Sequence, residues 1–186
     1  MATQPGGRRD RIVLTIAALA LAAALGWQNG LGRLDAVVYD AFLALIAPRP
    51  AADIVVVEID EPSLAAVGRW PWQRTRHADL IERISVQEPA AIGLDLLLAE
   101  PSDDPAADAA LAAAIARSGR VVLPVFTGPS AFGGVQAMLP VAPLAEAAAG
   151  LGHVSVQADP DGVVRSVYLR EGAPGQMWDH LALALL

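Results

Sequence analysis

The apolar positions of this chain fall into several patterns, and the first has no polar face at all. From Ile12 to Trp27 no charged residue interrupts the run, and Thr15 is the only clearly polar side chain before Gln28. Alanine and leucine lie on every face of a helix drawn here, which suits lipid better than a half-exposed protein surface. These sixteen residues cover about 24 Å as a helix, and continuing through Leu31 reaches the length that a hydrocarbon core of ~30 Å requires. The pattern predicts one N-terminal transmembrane helix over 12–31, after a short tail, 1–11. A cleaved signal peptide would share the arginine-rich start and apolar centre, with Ala22 and Ala24 as a small-x-small cleavage site. A buried core helix is the plainest alternative.

From Gly30 to Ile46 the period changes. Leu34, Val37, Val38, Ala41 and Leu45 recur at helical spacing with Asp35 and Asp40 off the stripe, which predicts an amphipathic helix packed on the following domain. Pro48-Arg49-Pro50 then ends it, because proline cannot continue a helix and biases its predecessor toward extended backbone.

Strand and helix patterns alternate next. Ile54 to Ile59 is a β-branched run ending at Asp60, uniformly apolar enough to predict a buried strand. Thr75 to Val86 places His77, Leu80, Ile81 and Ile84 on one helix face. Ala90 to Leu98 predicts a second strand. A second helix runs to Arg117, with Asp104 at its N-cap, Pro105 at its first position and Ser118-Gly119 as its stop. Val121 to Phe126 is a third strand. Connections of helix length between strands favour a parallel sheet.

The last third changes again. Gly128 to Leu139 is rich in Gly and Pro and predicts a loop, and Leu144 to Ala149 a short helix closed by Gly150. His153–Gln157 and Val163–Leu169 both alternate, with turn-forming Asp159-Pro160-Asp161-Gly162 between them, so a β-hairpin is expected. His180 to Leu186 opens another helix. The fold class expected is α/β: a mainly parallel sheet with flanking helices and a C-terminal β-hairpin, preceded by one transmembrane helix. The domain occupies 32–186.

Charge adds an orientation. Of a net charge of −7, the first eleven residues carry +2 through Arg8, Arg9 and Arg11 against Asp10, and the remainder −9. Positive flanks stay on the cytoplasmic side. The tail is therefore expected inside the inner membrane and the domain outside it, in the periplasm or its extracytoplasmic equivalent. With 54% hydrophobic and 18% charged residues, disorder is excluded. All basic residues are arginine and the pI is 4.8, so the diffuse positive field of a nucleic-acid binder is missing. Zero cysteine excludes disulfides, thiolate zinc sites and thiol nucleophiles.

Catalytic signatures are mostly absent. No phosphate-binding glycine loop, Gly-x-Ser-x-Gly elbow or His-Glu-x-x-His pair occurs. Asp60-Glu61-Pro62-Ser63 resembles the aspartate loop of haloacid-dehalogenase phosphatases, but Pro62 stands where that family has its second aspartate. One acidic constellation remains. Asp60 and Asp95 are placed at the C-terminal ends of the first two strands, where open α/β sheets bind ligands, and Glu100, Asp103, Asp104 and Asp108 follow closely. Carboxylates gathered on one rim repel unless a cation offsets them. Mg²⁺ or Ca²⁺ on Asp60, Asp95, Glu100 and Asp104 would suit hard oxygen ligands; no other cofactor is expected. The alternative makes Asp104 a helix cap, leaves Asp103 and Asp108 solvated, and has Asp60 and Asp95 bond loop amides or pair with Arg74 or Arg76.

Arg69-Trp70-Pro71-Trp72-Gln73-Arg74 is the most unusual local string. Two indoles around a proline make a rigid aromatic corner near the same rim, fit to line a ligand pocket or a dimer contact, or to cap the core. The candidate ligand-binding residues are Asp60, Trp70, Trp72, Arg74 and Asp95.

The order of these motifs resembles the CHASE domain of the second type, the cyclases/histidine kinases associated sensory extracellular domain. The resemblance runs from Tyr39-Asp40 through Ile54 to Leu64, Gly68-Arg69-Trp70-Pro71-Trp72-Gln73-Arg74, His77 to Ile81 and Ala91 to Asp95. It continues through the Asp-rich segment to Asp108, Gly152-His153-Val154, Asp159-Pro160-Asp161-Gly162-Val163-Val164-Arg165 and Leu181-Ala182-Leu183. It implies a membrane-anchored, non-enzymatic input domain of a bacterial receptor. Such a domain relays a small-molecule or physical stimulus to a cytoplasmic adenylate or guanylate cyclase, histidine kinase, diguanylate cyclase or Ser/Thr kinase, and a homodimer is expected because such effectors work in pairs. The resemblance supplies neither a ligand nor a catalytic residue. Two other classes stand beside it: a membrane-tethered scaffold or dimerisation module, and a metal-dependent extracytoplasmic hydrolase using the carboxylate rim.

Overall fold

The computed structural model describes residues 7–27, 32–47, 51–130, 134–173 and 175–186. The chain forms two compact units, Met1–Glu58 and Ile59–Leu186.

The first unit carries two helices, α1 (Arg8–Trp27) and α2 (Gly32–Ile46). Asp10 closes the start of α1, its Oδ2 accepting from the Gly7 amide at 3.0 Å. Among the described residues no helix is long and apolar enough to cross a membrane, which overturns the transmembrane helix expected over 12–31. The reason lies in where charge falls. Helix α1 spends its first four positions on Arg8, Arg9, Asp10 and Arg11, and its apolar remainder spans about 24 Å, short of the ~30 Å of hydrocarbon. The extension to Leu31 and the Pro48-Arg49-Pro50 stop lie outside the described residues. Along α2, Leu34, Val37, Val38 and Leu45 form the expected stripe, and all four are exposed. The run Ile54–Ile59, expected as a buried strand, joins no ladder among the described residues, and Ile54, Val55, Val56 and Val57 are exposed. β-branching favours a pleated surface only where a partner strand supplies one.

In the second unit, Asp60 starts a short helix, α3 (Glu61–Val67), with Pro62 in its first turn. Next come α4 (Arg74–Ser85), β1 (Ile92–Gly93) and α5 (Pro105–Ser118). Strand β1 is much shorter than the expected 90–98, although Leu94 and Leu98 beyond it are buried. Helix α5 is bounded as its sequence predicts. The Asp104 carboxylate accepts from the Ala106 amide at 2.9 Å, and Gly119 closes it at φ +61, a left-handed conformation that glycine adopts without a Cβ penalty.

Strand β2 (Val121–Pro129) is the spine of the sheet. It runs parallel to β1, with Ile92 opposite Val121, and parallel to β4 (Gly150–His153), with Val125 opposite His153. Residues Val121 to Val125 are all buried, as expected where both faces of a parallel strand are covered. The far end of β2 pairs antiparallel with β3 (Val135–Met138), inside the segment expected as a loop. A short helix, α6 (Ala142–Ala147), precedes β4.

The C-terminal hairpin is β5 (Arg170–Ala173) against β6 (Gln176–Asp179), followed by α7 (Leu181–Ala184). It is displaced from the position predicted. The 159–162 turn does form, with Gly162 donating to the Asp159 carbonyl and Asp159 to the Val163 carbonyl. Of its expected flanks, His153 pairs with β2, while 154–157 and 163–169 join no ladder among the described residues. The core lies where α4 and α5 cover the sheet: Ile81, Leu111, Ile115, Leu123 and Leu144 are at most 1% exposed, each burial worth about 1.5–3 kcal/mol.

Candidate functional site

The Trp70-Pro71-Trp72 corner links the end of α3 to the start of α4. Gly68 ends α3 at φ +111, a backbone region closed to most side chains, and its carbonyl accepts from the Trp72 indole Nε1 at 2.9 Å. The corner is thereby folded back on its own helix end. The Trp70 and Trp72 ring centroids stand 5.9 Å apart at 61°. Both rings meet His77, one turn into α4, at 5.7 Å for Trp70 and 6.4 Å for Trp72. Tilted and edge-to-face arrangements of this kind put positive ring edges against negative ring faces. Trp70 is 46% exposed while His77 is 2% exposed, so the cluster offers an indole to solvent over a buried imidazole. Burial, and then the positive charge of Arg74, hold His77 below its ordinary pKa. Its Nδ1 is buried without a hydrogen-bond partner.

Arg74 opens α4. Its Nε donates to Asp108 Oδ1 at 3.1 Å and a terminal nitrogen donates to the Glu100 carbonyl at 3.0 Å. The other Asp108 oxygen accepts from the Ser102 amide at 2.8 Å. One carboxylate in the first turn of α5 therefore ties together the start of α4, the 99–104 loop and α5 itself. An ion pair whose lone pairs are this fully used is costly to break from one side.

The expected carboxylate rim is distributed differently. Asp60 is exposed and is the N-cap of α3, its Oδ1 accepting from the Ser63 amide at 3.0 Å and the Ser63 hydroxyl at 2.6 Å. Those two bonds hold its pKa below the ordinary carboxylate value. Asp95 and Glu100 are exposed, Glu100 contributing its carbonyl to Arg74. Asp104 caps α5. Among the described residues no three His, Asp or Glu side chains gather in a way that could hold a metal ion. The fold thus joins Trp70 with Trp72 and anchors Arg74 beside them, and uses Asp60 and Asp104 as caps.

Two side chains take contacts that the sequence does not assign them. Asp108, which the sequence places either in the carboxylate rim or in solvent, is 8% exposed as the partner of Arg74; its spacing four residues after the Asp104 cap, on the inner face with Leu111 and Ile115, carries the signal. His77 was expected only as part of the apolar face of its helix, and its indole neighbours were not foreseen. Two concavities lie elsewhere, one of about 260 Å³ between the ends of α4 and α5, including Glu82 and Arg117, and one of about 280 Å³ on the β2–β3 hairpin. Neither is lined by the tryptophans or by Arg74. The arrangement sets two indoles, an imidazole and an ion-paired guanidinium together. It is equipped to contact an apolar or cationic group through Trp70.

A family model described as the CHASE2 domain matches residues 14–186. No curated protein and no solved structure matches the chain.

Proposed function

The chain belongs to the CHASE2 domain family, a family of extracellular sensory domains of cyclases and histidine kinases, and from that premise we propose that it is the extracytoplasmic input domain of a bacterial receptor that relays a stimulus to a cytoplasmic effector. The observation that carries the reading is the Trp70–Trp72–His77 cluster seated beside the Arg74–Asp108 clamp. An exposed indole held rigidly over a buried imidazole is a contact surface at low entropic cost. The clamp connects that surface to α4, the 99–104 loop and α5, so a ligand that binds one arrangement of the corner better than another shifts all three. The effector is a cyclase, a histidine kinase, a diguanylate cyclase or a Ser/Thr kinase.

The test is the Trp70→Ala and Trp72→Ala exchange in a receptor carrying this domain, with effector output measured against stimulus. We expect the response to weaken by about tenfold or more, as when an aromatic anchor is truncated, while thermal unfolding of the domain shows it still folded. Full output from a folded double variant removes the corner from signalling.

A specific observation favours a second reading, that of a docking or dimerisation module. Val163, Val164, Val167, Tyr168 and Leu169 are all exposed within seven residues, an apolar run of the kind that marks interaction surfaces. Sedimentation of the chain discriminates, since a module of this kind associates without any stimulus.

A further inference from the structure

His153 ends β4 and is 0% exposed, and neither of its ring nitrogens makes a well-aligned hydrogen bond among the described residues. A neutral imidazole always carries one N–H, and the acceptors the structure sets near this one are the Tyr168 carbonyl and the Glu171 carboxylate, so the ring is enclosed against groups that favour its protonated form. The groups around it are specific. From β5, the Glu171 carboxylate approaches His153 Nδ1 to 3.7 Å. At the end of β6, the His180 ring stands edge-on with its centroid at 5.1 Å, and the two residues form a parallel bridge. Asp179 lies beyond, paired with Arg170 at 2.7 Å. Helix α7 brings no titratable side chain, and β2 brings Val125 opposite His153.

We propose that His153, with Glu171 and His180, forms a proton-binding site at the joint between the main sheet and the C-terminal hairpin, and that the proton is a stimulus this domain reads. Naming the proton a stimulus rests on the receptor reading above; the site itself does not.

The geometry explains how one proton would move the joint. A Cβ added at Gly152 would lie 2.6 Å from the Leu181 Cα, so the backbone of α7 is seated directly on β4 beside the imidazole. His180 N donates to the Leu169 carbonyl, and its Nδ1 accepts from the Ala182 amide and caps α7. The joint has no slack to absorb a rotated or hydrated ring, because packed interiors respond by switching arrangement rather than by stretching. A buried imidazolium is costly, and one partly exposed carboxylate offsets it incompletely. Burial accordingly holds His153 below its ordinary value of 6.5, and His180 works in the same direction, against the opposing pulls of Glu171, the Tyr168 carbonyl and Asp179. With the closed-state value lowered, protons bind preferentially to arrangements that expose His153. Acidification below the ordinary imidazole value therefore opens the joint.

The experiment needs no effector. The 186-residue chain is titrated from about pH 8 to about pH 5, the range in which imidazoles change charge, following the His153 resonance and amide exchange by NMR. Closed-joint amides are those of Val154, which donates to the Val125 carbonyl, and Leu183 and Ala184, which donate to the His180 carbonyl. After correction for the intrinsic pH dependence of exchange, these are expected to lose protection by about tenfold on acidification, while the Gly119 amide at the end of α5 does not. His153→Gln is expected to abolish that loss. Glu171→Gln leaves the imidazole in place without its favourable carboxylate, so the onset is expected to move to lower pH. Titration of His153 at 6.5, an unchanged loss in His153→Gln, or an onset that Glu171→Gln does not move would each overturn the proposal. None of those outcomes touches the receptor reading, which stands or falls on the output of the tryptophan variants.

Discussion

Removing Asp108 by Asp108→Ala tests the clamp that the proposed signalling route depends on. The change deletes two hydrogen bonds to a carboxylate, from Arg74 at 3.1 Å and from the Ser102 amide at 2.8 Å, and leaves a guanidinium that is 16% exposed facing the Glu100 carbonyl alone. Breaking one side of a fully buried pair costs about 3–5 kcal/mol, whereas exposed pairs contribute about 0–1 kcal/mol. With the Asp108 side chain 11% exposed, the pair lies near the buried limit, and solvent screening at Arg74 brings the expected cost to about 3 kcal/mol. For a unit of this size each kcal/mol lowers Tm by about 4 °C, so a drop on the order of 10 °C is expected.

Two companions identify the cause. Asp108→Asn keeps the shape and an acceptor for Ser102 while removing the charge, and is expected to lose about half as much. In a double-mutant cycle with Arg74→Met, the pair should couple by about 1–3 kcal/mol, because the second change removes the stranded guanidinium. Acrylamide quenching of tryptophan fluorescence reports the corner directly, and should increase in Asp108→Ala below its melting range. A Tm within 2 °C of wild type, or a coupling energy indistinguishable from zero, would refute the assignment of Asp108 as the organising carboxylate, where 2 °C corresponds to about 0.5 kcal/mol.

The remaining predictions concern the interior and its titration. Ser155 Oγ accepts from the buried Thr127 amide at 2.8 Å and donates to the Thr127 carbonyl at 2.8 Å, so Ser155→Ala orphans both main-chain groups and is expected to cost about 1–3 kcal/mol in urea unfolding; a change below about 0.5 kcal/mol would show that the strand end finds other partners. Acid should destabilise the chain in two separate windows. His77 and His153 are both held below 6.5 by burial, so their contribution is complete above that pH and is lost as pH falls through the folded values. Asp161, paired with Arg165 and lowered to about 2, and Asp60, lowered by Ser63, contribute above 3.8 and lose that contribution as pH falls further. Both carboxylates are exposed, so added salt should shrink the second phase and leave the first. A urea midpoint that stays flat from about pH 7 to about pH 5 would contradict the imidazole phase.

The helices of the second unit were legible because their ends and faces are written locally. Asp104-Pro105 and Ser118-Gly119 bound α5 through caps that act within one turn, and Ile81 marks the buried face of α4 by its period. Strand limits depend on partners far along the chain, and there the local pattern misled. Val135–Met138 sits among glycines and prolines and reads as loop, yet the open end of β2 recruits it. Ile54–Ile59 reads as the strongest strand of all and joins no ladder among the described residues. The alternation of His153–Gln157 was genuine, but its first residue is claimed by β2, so the hairpin forms seventeen residues later at Arg170. The N-terminal run failed for a different reason: its composition is apolar enough for lipid, while length within the helix decides whether a span is reached, and composition does not report where a helix begins.

The candidate site divides along the same line. A tryptophan pair around a proline is visible in any reading because its parts are adjacent, and the structure adds to it only His77, one helical turn on. Arg74 and Asp108 are 34 residues apart, and each has an innocuous local explanation, a helix start and a solvated acid. Only the crossing of α4 and α5 makes them a clamp. His153 is the extreme case. In sequence it is one of three widely separated histidines with ordinary structural explanations, and its chemistry arises from a residue eighteen positions later on β5 and another at the head of α7. A lone histidine in an apolar strand is usually a satisfied core residue. What separates this one is that the fold encloses it completely, with neither nitrogen in a well-aligned hydrogen bond among the described residues, and places a carboxylate just outside hydrogen-bonding distance. Enclosure makes the neutral form the resting state, and the nearby carboxylate keeps protonation within reach. Those two conditions together make a threshold rather than a fixed charge, and neither can be read from the residues on either side of His153.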